Sequence, residues 1–157
     1  YLASNTDLIT AFGSDSTAAT QHYVSNGYKE GRSIDSFDEW SYLASNTDLI
    51  TAFGSDTTAA TQHYVSNGYK EGRSKDSFDE WGYLASNNDL MKAFGSNTTE
   101  AIKHYISHGL SEGRVTNSFN VDSYLNNYAD INSAFGHDHN LAKKHFIEHG
   151  FAEGRVF

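Results

Sequence analysis

The sequence contains no cysteine and no proline among its 157 residues. The lack of cysteine excludes disulfides, thiolate metal sites and cysteine nucleophiles. It fits a cytosolic protein and equally a bacterial secreted protein that avoids thiols, so it does not decide the compartment. The lack of proline leaves no proline-rich spacer between parts of the chain.

Long apolar runs and a positive charge are also missing. No stretch approaches the roughly 20 apolar residues that span a bilayer, and the sequence does not start with a basic and then apolar signal segment. Lysine and arginine number 11 against 20 acidic residues, which gives a formal net charge of -9. A chain with this charge is repelled by a phosphate backbone. We therefore expect neither membrane insertion nor a nucleic-acid partner.

What the chain has in abundance is similarity to itself. Residues 42–82 repeat residues 1–41 with only three substitutions, and residues 83–123 and the shorter 124–157 are diverged copies. Each copy starts 41 residues after the previous one, without insertions. A fixed period of this kind predicts units that pack on one another in a single geometry. With 38% hydrophobic and 14% aromatic residues, the array is expected to fold.

The first predicted helix of a copy spans residues 36–46, as judged from the second copy. Its opening Ser-Phe-Asp-Glu has the Ser-x-x-Glu spacing at which Ser36 and Glu39 cap a helix reciprocally. Phe37, Trp40 and Leu43 would then line one helical face. Residue 1 falls inside the corresponding helix of the first copy, which lacks the helix start. We therefore expect the chain to be a segment of a longer array.

Two further helices follow in each copy. The second is predicted from Thr47 to Phe53, with Gly54 as its stop. The third starts after Ser55-Asp56, either of which is a good N-cap, and runs to Gly68 as a C-cap glycine. No strand pattern occurs. The predicted fold is all-α, with four tandem units of about three short helices each, forming a solenoid or a chain of small bundles.

An aspartate, a histidine, a glutamate and an arginine recur at the same places in every copy. An acid, a base and a cation in one unit suit acid/base catalysis. Four identical active sites on neighbouring short repeats would be unusual, however, whereas contacts that fix turns are needed in every repeat. We therefore predict a structural motif without catalytic residues or cofactors, in which Arg73 pairs bidentately with Asp48. The motif comprises Asp7, His22, Glu30, Arg32, Asp48, His63, Glu71, Arg73, Asp89, His104, Glu112, Arg114, Asp130, His145, Glu153 and Arg155.

The histidines are also weak candidates for metal binding. His104 and His108 lie four residues apart, as do His145 and His149, a spacing that places both rings on one helical face. The first two copies carry asparagine at the second position, and no third ligand recurs. We expect the repeated histidines to be packed rings bonded to backbone carbonyls, and no metal or calcium site.

Aromatic residues recur as well, at Tyr23, Tyr28, Trp40 and their copies. Exposed rings at regular spacing suit sugar binding, while the packing of a helical repeat also needs rings. The sequence leaves both uses open.

The segments SFDEWSYLASNTDL, AFG and QHYVSNGYKEGR resemble a tandem repeat of bacterial secreted and surface proteins. That repeat accompanies type I secretion substrates and some glycosyltransferase-like proteins, and the resemblance covers the whole chain. It departs from the family at Thr6, Thr47 and Asn88, where proline is frequent, and at Tyr128, where the asparagine is replaced. The resemblance implies a location outside the cell or at its surface, and it transfers no catalytic residue.

The function expected from these features is a non-catalytic extracellular structural or adhesive array, acting as a stacked rod or self-assembling surface or filament component. Its partners would be neighbouring copies of itself or a longer parent chain. The alternative is an accessory module of a secreted or cell-surface enzyme that binds glycans or surface proteins. An enzyme ranks last, because no set of chemical groups occurs only once.

Overall fold

The computed structural model describes all 157 residues and contains helices only. It confirms the predicted all-α class, with the same helices returning in the second, third and fourth copies and all but the opening helix in the first. The chain divides into two compact units, Tyr1–Ser77 and Phe78–Phe157. The first unit holds the first copy and residues 42–77 of the second, and the second unit holds the remaining residues.

The first unit contains five α-helices and two π-helical turns. Its elements are α1 (Thr6–Phe12), α2 (Ser16–His22), π1 (Tyr23–Gly27), α3 (Glu39–Ala44), α4 (Thr47–Phe53), α5 (Thr57–His63) and π2 (Tyr64–Gly68).

The second unit has six α-helices and two π-helical turns. They are α6 (Glu80–Ala85), α7 (Asn88–Phe94), α8 (Thr98–His104), π3 (Tyr105–Gly109), α9 (Val121–Asn127), α10 (Ala129–Phe135), α11 (His139–His145) and π4 (Phe146–Gly150).

The first helix of a copy starts three residues later than predicted. Helix α3 begins at Glu39, and the carboxylate of Asp38 accepts a hydrogen bond of 3.0 Å from the Ser41 backbone N–H. The predicted capping box of Ser36 and Glu39 is therefore wrong. The Ser36 backbone N–H instead donates to Ser4 Oγ at 2.9 Å, which binds the connecting segment to the start of the first copy.

The second and third predicted helices are confirmed, but the role predicted for Gly68 is wrong. Helix α4 ends at Gly54, which has a φ of 59°, and α5 is capped by Asp56, which accepts from the Ala59 N–H at 2.9 Å. Gly68 lies within π2 and its φ is not positive. The glycine that needs a positive φ there is Gly72, with a φ of 67°, in the turn that precedes Arg73.

The core of each copy is built around a buried tyrosine and a stacked phenylalanine. Tyr42 is fully buried, and the ring of Phe37 lies 5.4 Å from it and stacks on Tyr64 at 4.7 Å. Phe37 lies outside α3, so it does not share a helical face with Trp40 and Leu43 as predicted. The phenylalanine at the end of one 41-residue period thus packs with the copy that follows it.

Within the second unit, the two copies contact each other through α6, which packs on α11 and π4. Asp79, the N-cap of α6, forms an ion pair with Lys143 on α11. The Lys144 ammonium lies 6.0 Å from the centre of the Trp81 ring. These contacts show how the segment that opens one copy meets the third helix of the next.

Candidate functional site: a polar cluster in every copy

Each copy places a tyrosine, an aspartate, a histidine, a glutamate and an arginine in two linked sets of contacts, which we call the polar cluster. In the second copy these residues are Tyr42, Asp48, His63, Glu71 and Arg73. Helix α3 supplies the tyrosine, the first turn of α4 the aspartate, and the end of α5 the histidine. The turn after π2 supplies the glutamate and the arginine.

The arginine binds two carboxylates. Arg73 Nη1 lies 2.8 Å from Asp48, as the predicted pair requires, while its Nε lies 2.7 Å from Glu71. The predicted two-nitrogen fork is seen in the fourth copy, where Nη1 and Nη2 of Arg155 donate to the two oxygens of Asp130 at 3.1 and 2.8 Å. In the third copy Nη1 of Arg114 alone donates to both oxygens of Asp89, at 2.8 and 2.6 Å. In all four copies the guanidinium is shared between two carboxylates, because the glutamate two residues earlier binds its Nε.

The ion pairs with arginine favour the ionised form of the four aspartates. The hydrogen bond from Arg73 lowers the pKa of Asp48 below its ordinary value of 3.8, and the corresponding arginines lower the pKa of Asp7, Asp89 and Asp130. The two carboxylates in turn raise the pKa of the Arg73 guanidinium. A general acid or base at neutral pH needs a pKa near 7, and these shifts move the aspartate and arginine pKa values further from it.

The histidine is bonded to a tyrosine hydroxyl, so the expected backbone carbonyl partner is wrong. Tyr42 Oη and His63 Nδ1 are 2.9 Å apart, and the same contact measures 3.0, 2.9 and 2.9 Å in the other copies. Burial raises the pKa of Tyr42, and likewise of Tyr83 and Tyr124, to about 12. The phenol therefore keeps its proton, and it donates to Nδ1 in the imidazole tautomer that leaves this nitrogen without a hydrogen.

Gly68 is part of this contact, a role that no sequence pattern predicts. A Cβ built on Gly68 would lie 2.2 Å from Tyr42 Oη and 3.3 Å from its Cζ. A Cβ built on Gly27, Gly109 or Gly150 would likewise lie 2.2 to 2.3 Å from the hydroxyl oxygen of the tyrosine in the same copy. Any side chain at this position would push the tyrosine away from the histidine.

An asparagine also holds the copy together, and the prediction from sequence missed it. Asn46 Nδ2 donates to the Tyr42 carbonyl at 2.7 Å and to the Ser74 carbonyl at 2.9 Å. In the fourth copy Tyr128 takes this place, and its hydroxyl accepts from the Val156 N–H at 2.9 Å. The recurrence of Asn5, Asn46 and Asn87 at one position was the available signal.

The histidine pairs considered for metal binding do come together. The ring centres of His104 and His108 are 5.6 Å apart, and those of His145 and His149 are 5.4 Å apart. No group of three or more histidine, aspartate or glutamate side chains is placed to hold a metal ion. None of the helices has the length and apolar character required to cross a membrane.

Comparison with known proteins gives no relative: no family model, no curated protein and no solved structure matches the chain.

Replacing Arg73 by alanine should lower the melting temperature by about 2–5 °C, because the variant loses both ion pairs across one turn. The effect is modest because Asp48 and Glu71 remain largely exposed and solvent screens both pairs. Lys70→Ala, an exposed cation of the same turn, is the matched control and should leave the melt unchanged. Calorimetry of both variants in low and high salt measures this. Equal melting temperatures of the two variants would show that Arg73 has no structural role.

Stability should fall as the pH drops below about 6.5. Burial, the largest cause, lowers the pKa of His104 and His145 below their ordinary 6.5 in the folded protein. A depressed pKa means that the stabilisation is present above pH 6.5 and is lost as the pH falls from there through the folded pKa values. Melting curves between pH 8 and 5 measure this. The double variant His104→Gln/His145→Gln should show a flatter profile over that range, and an equally steep one would contradict the assignment.

Proposed function

We propose that the chain is a non-catalytic structural or adhesive repeat array that associates with neighbouring copies of itself or with further repeats. The observation that carries this proposal is that the arginine–aspartate and tyrosine–histidine contacts of the polar cluster recur in all four copies. The arginine of each cluster links the second helix of its copy to the turn that closes the same copy, which is the kind of contact that every unit of a repeat array needs.

The location proposed for this array is outside a bacterial cell or at its surface. Support comes from the resemblance of the motifs SFDEWSYLASNTDL and QHYVSNGYKEGR to repeats of secreted and surface proteins. The fixed 41-residue period and the near identity of the first two copies add to it, since a surface repeated along an array can meet an identical surface on a neighbour.

Electron microscopy with negative stain, together with mass photometry of the natural material, tests the proposal. A structural array should appear as filaments, sheets or discrete oligomers whose mass grows with concentration. Dispersed monomers at every concentration would count against self-association. The proposal would also fail if turnover of any substrate survived purification and was abolished by a single substitution in one copy.

The second candidate is an accessory module that binds glycans or surface proteins. The specific observation in its favour is Tyr28, whose side chain is 74% exposed on the first unit. Saturable binding of a polysaccharide that is lost in Tyr28→Ala would select this candidate, because an exposed aromatic ring is the usual platform for a sugar face.

A further inference from the structure

The first unit carries an apolar groove of about 500 Å³ that runs between its two copies. Tyr1, Ala3, Ala19 and Tyr23 line it from the first copy, and Thr61 and Val65 line it from the second. Its walls are therefore mostly aromatic rings and small aliphatic groups. An exposed apolar groove of this size indicates a binding surface.

In each of the other three copies, a phenylalanine packs on the ring that corresponds to Tyr23. Phe37 stacks on Tyr64 at 4.7 Å, Phe78 stacks on Tyr105 at 4.4 Å, and Phe119 lies 4.7 Å from Phe146. Those three partner rings are at most 6% exposed. Tyr23, their counterpart, is only half-buried.

The residue after Tyr23 differs even more between copies. Val24 is 73% exposed, whereas Val65, at the same position of the next copy, is 8% exposed. Ile106 and Ile147, the remaining counterparts, are also buried. In the first copy, therefore, both Tyr23 and Val24 lack the cover that their counterparts have.

Two further contacts identify what the groove accepts. Glu39, two residues after Phe37, accepts a hydrogen bond of 3.0 Å from Thr61 Oγ1, and Thr20 is the matching hydroxyl in the groove. In the second unit Trp81, three residues after Phe78, lies beside Lys144, whose counterpart Gln62 lines the groove. The groove therefore offers places for a phenylalanine, a glutamate and a tryptophan at the spacing Phe-x-Glu-Trp.

We propose that this groove binds the Ser-Phe-Asp-Glu-Trp segment of a further 41-residue repeat, with its phenylalanine stacked on Tyr23 and Tyr1. The chain has two Phe-Asp-Glu-Trp segments, residues 37–40 and 78–81, and the phenylalanine of each packs on the copy that follows it. Neither segment is free to fill the groove, so the occupant comes from another repeat. The inference rests on the proposed array function and identifies the surface through which one repeat accepts the next.

The test titrates the peptide acetyl-Asp-Ser-Phe-Asp-Glu-Trp-Ser-amide into the complete 157-residue chain by isothermal calorimetry. We expect saturable binding to one site per chain. The matched peptide with phenylalanine replaced by alanine should bind roughly tenfold more weakly or not at all, because it buries no ring. Equal binding of the two peptides would overturn the proposal and indicate general adhesion to an apolar surface.

Variants of the chain locate the site. Tyr23→Phe should retain binding, since Phe146 occupies this position in the fourth copy. Tyr23→Ala should weaken binding roughly tenfold. Val115→Ala, which changes an exposed apolar side chain of the second unit that does not line the groove, should leave binding unchanged. Circular dichroism establishes that each variant is folded. Unchanged binding by Tyr23→Ala would place the peptide elsewhere and overturn the proposal.

A joined form of the same segment guards against binding too weak for calorimetry. Asp-Ser-Phe-Asp-Glu-Trp-Ser placed directly ahead of Tyr1 should raise the melting temperature, and its phenylalanine-to-alanine version should not. If neither the free nor the joined segment acts through its phenylalanine, the inference fails. Filaments or oligomers seen by microscopy would then still support the array proposal. Conversely, segment binding without any assembly would support the groove as a binding site and contradict self-association.

Discussion

Substitution of Gly68 by alanine is expected to destabilise the first unit by about 2 kcal/mol or more. Alanine in place of glycine within a helix ordinarily stabilises by about 1 kcal/mol, so the sign itself is informative. The added Cβ would lie 2.2 Å from Tyr42 Oη, and Tyr42 is fully buried and bonded to His63. The ring must shift, which strains its packing and breaks the hydrogen bond to the histidine.

Removing the hydroxyl should relieve the clash. Tyr42→Phe alone is expected to cost about 1 kcal/mol through the lost hydrogen bond to His63. In the double variant Gly68→Ala/Tyr42→Phe the nearest ring atom is 3.3 Å from the new Cβ, a tight but tolerable contact. The double variant should therefore be more stable than Gly68→Ala, and a double-mutant cycle measures the coupling.

Urea unfolding followed by tryptophan fluorescence measures these energies unit by unit. Trp40 lies in the first unit and Trp81 in the second, so a Trp81→Phe background reports the first unit alone. Tyr83→Phe removes the equivalent hydroxyl from the second unit and is the matched control, which should not rescue Gly68→Ala. A neutral Gly68→Ala, or a rescue that Tyr83→Phe reproduces, would contradict the close-contact role of the glycine.

The contrast between Gly54 and Gly68 shows what the sequence reveals and what it hides. Both glycines follow a helical pattern, and both were predicted as stops for the same local reason. Gly54 acts through its own backbone, with a φ of 59°, so its role follows from neighbouring residues. Gly68 acts through Tyr42, which is 26 residues away in sequence, and local patterns carry no information on such a contact.

In the polar cluster, too, one contact could be predicted from the sequence and another could not. Opposite charges that recur in every copy made the pairing of Arg73 with Asp48 predictable, since charge complementarity is visible in the sequence. The partner of His63 was not predictable, because an imidazole bonds equally well to a carbonyl or to a hydroxyl. Only the packing of α3 against α5, which brings Tyr42 to the ring, determines which of them it meets.

In the fourth copy, the contact between the start of the copy and the segment after its arginine is made by a different side chain. Asn46 binds the segment after Arg73 through its amide, whereas Tyr128 binds the segment after Arg155 through its hydroxyl. The Arg155 guanidinium also stacks over the Tyr128 ring, 4.6 Å from its centre. Because both side chains hold the same connecting segment, its attachment to the start of its copy is a requirement of the fold.

Substitution of Phe37 by alanine is expected to cause the largest loss of stability, about 3–5 kcal/mol. Phe37 is 6% exposed, and its ring packs on both Tyr42 and Tyr64 at the centre of the second copy. Alanine leaves a cavity between two rings that are fixed by other contacts, so the surroundings have little freedom to close it. The loss should appear in the Trp40 signal of the first unit.

Ile34→Ala, three residues earlier in the same connecting segment, is the matched control for Phe37→Ala. Ile34 is 58% exposed, so its truncation should change stability by less than about 0.5 kcal/mol. If Phe37→Ala leaves the first unit unfolded, Phe37→Leu retains part of the ring volume and allows a measurable midpoint. Equal stability of the Phe37 and Ile34 variants would mean that the connecting segment only joins the copies. A large difference would make it part of the core of the copy that follows, which is the role that the groove beside Tyr23 requires of its occupant.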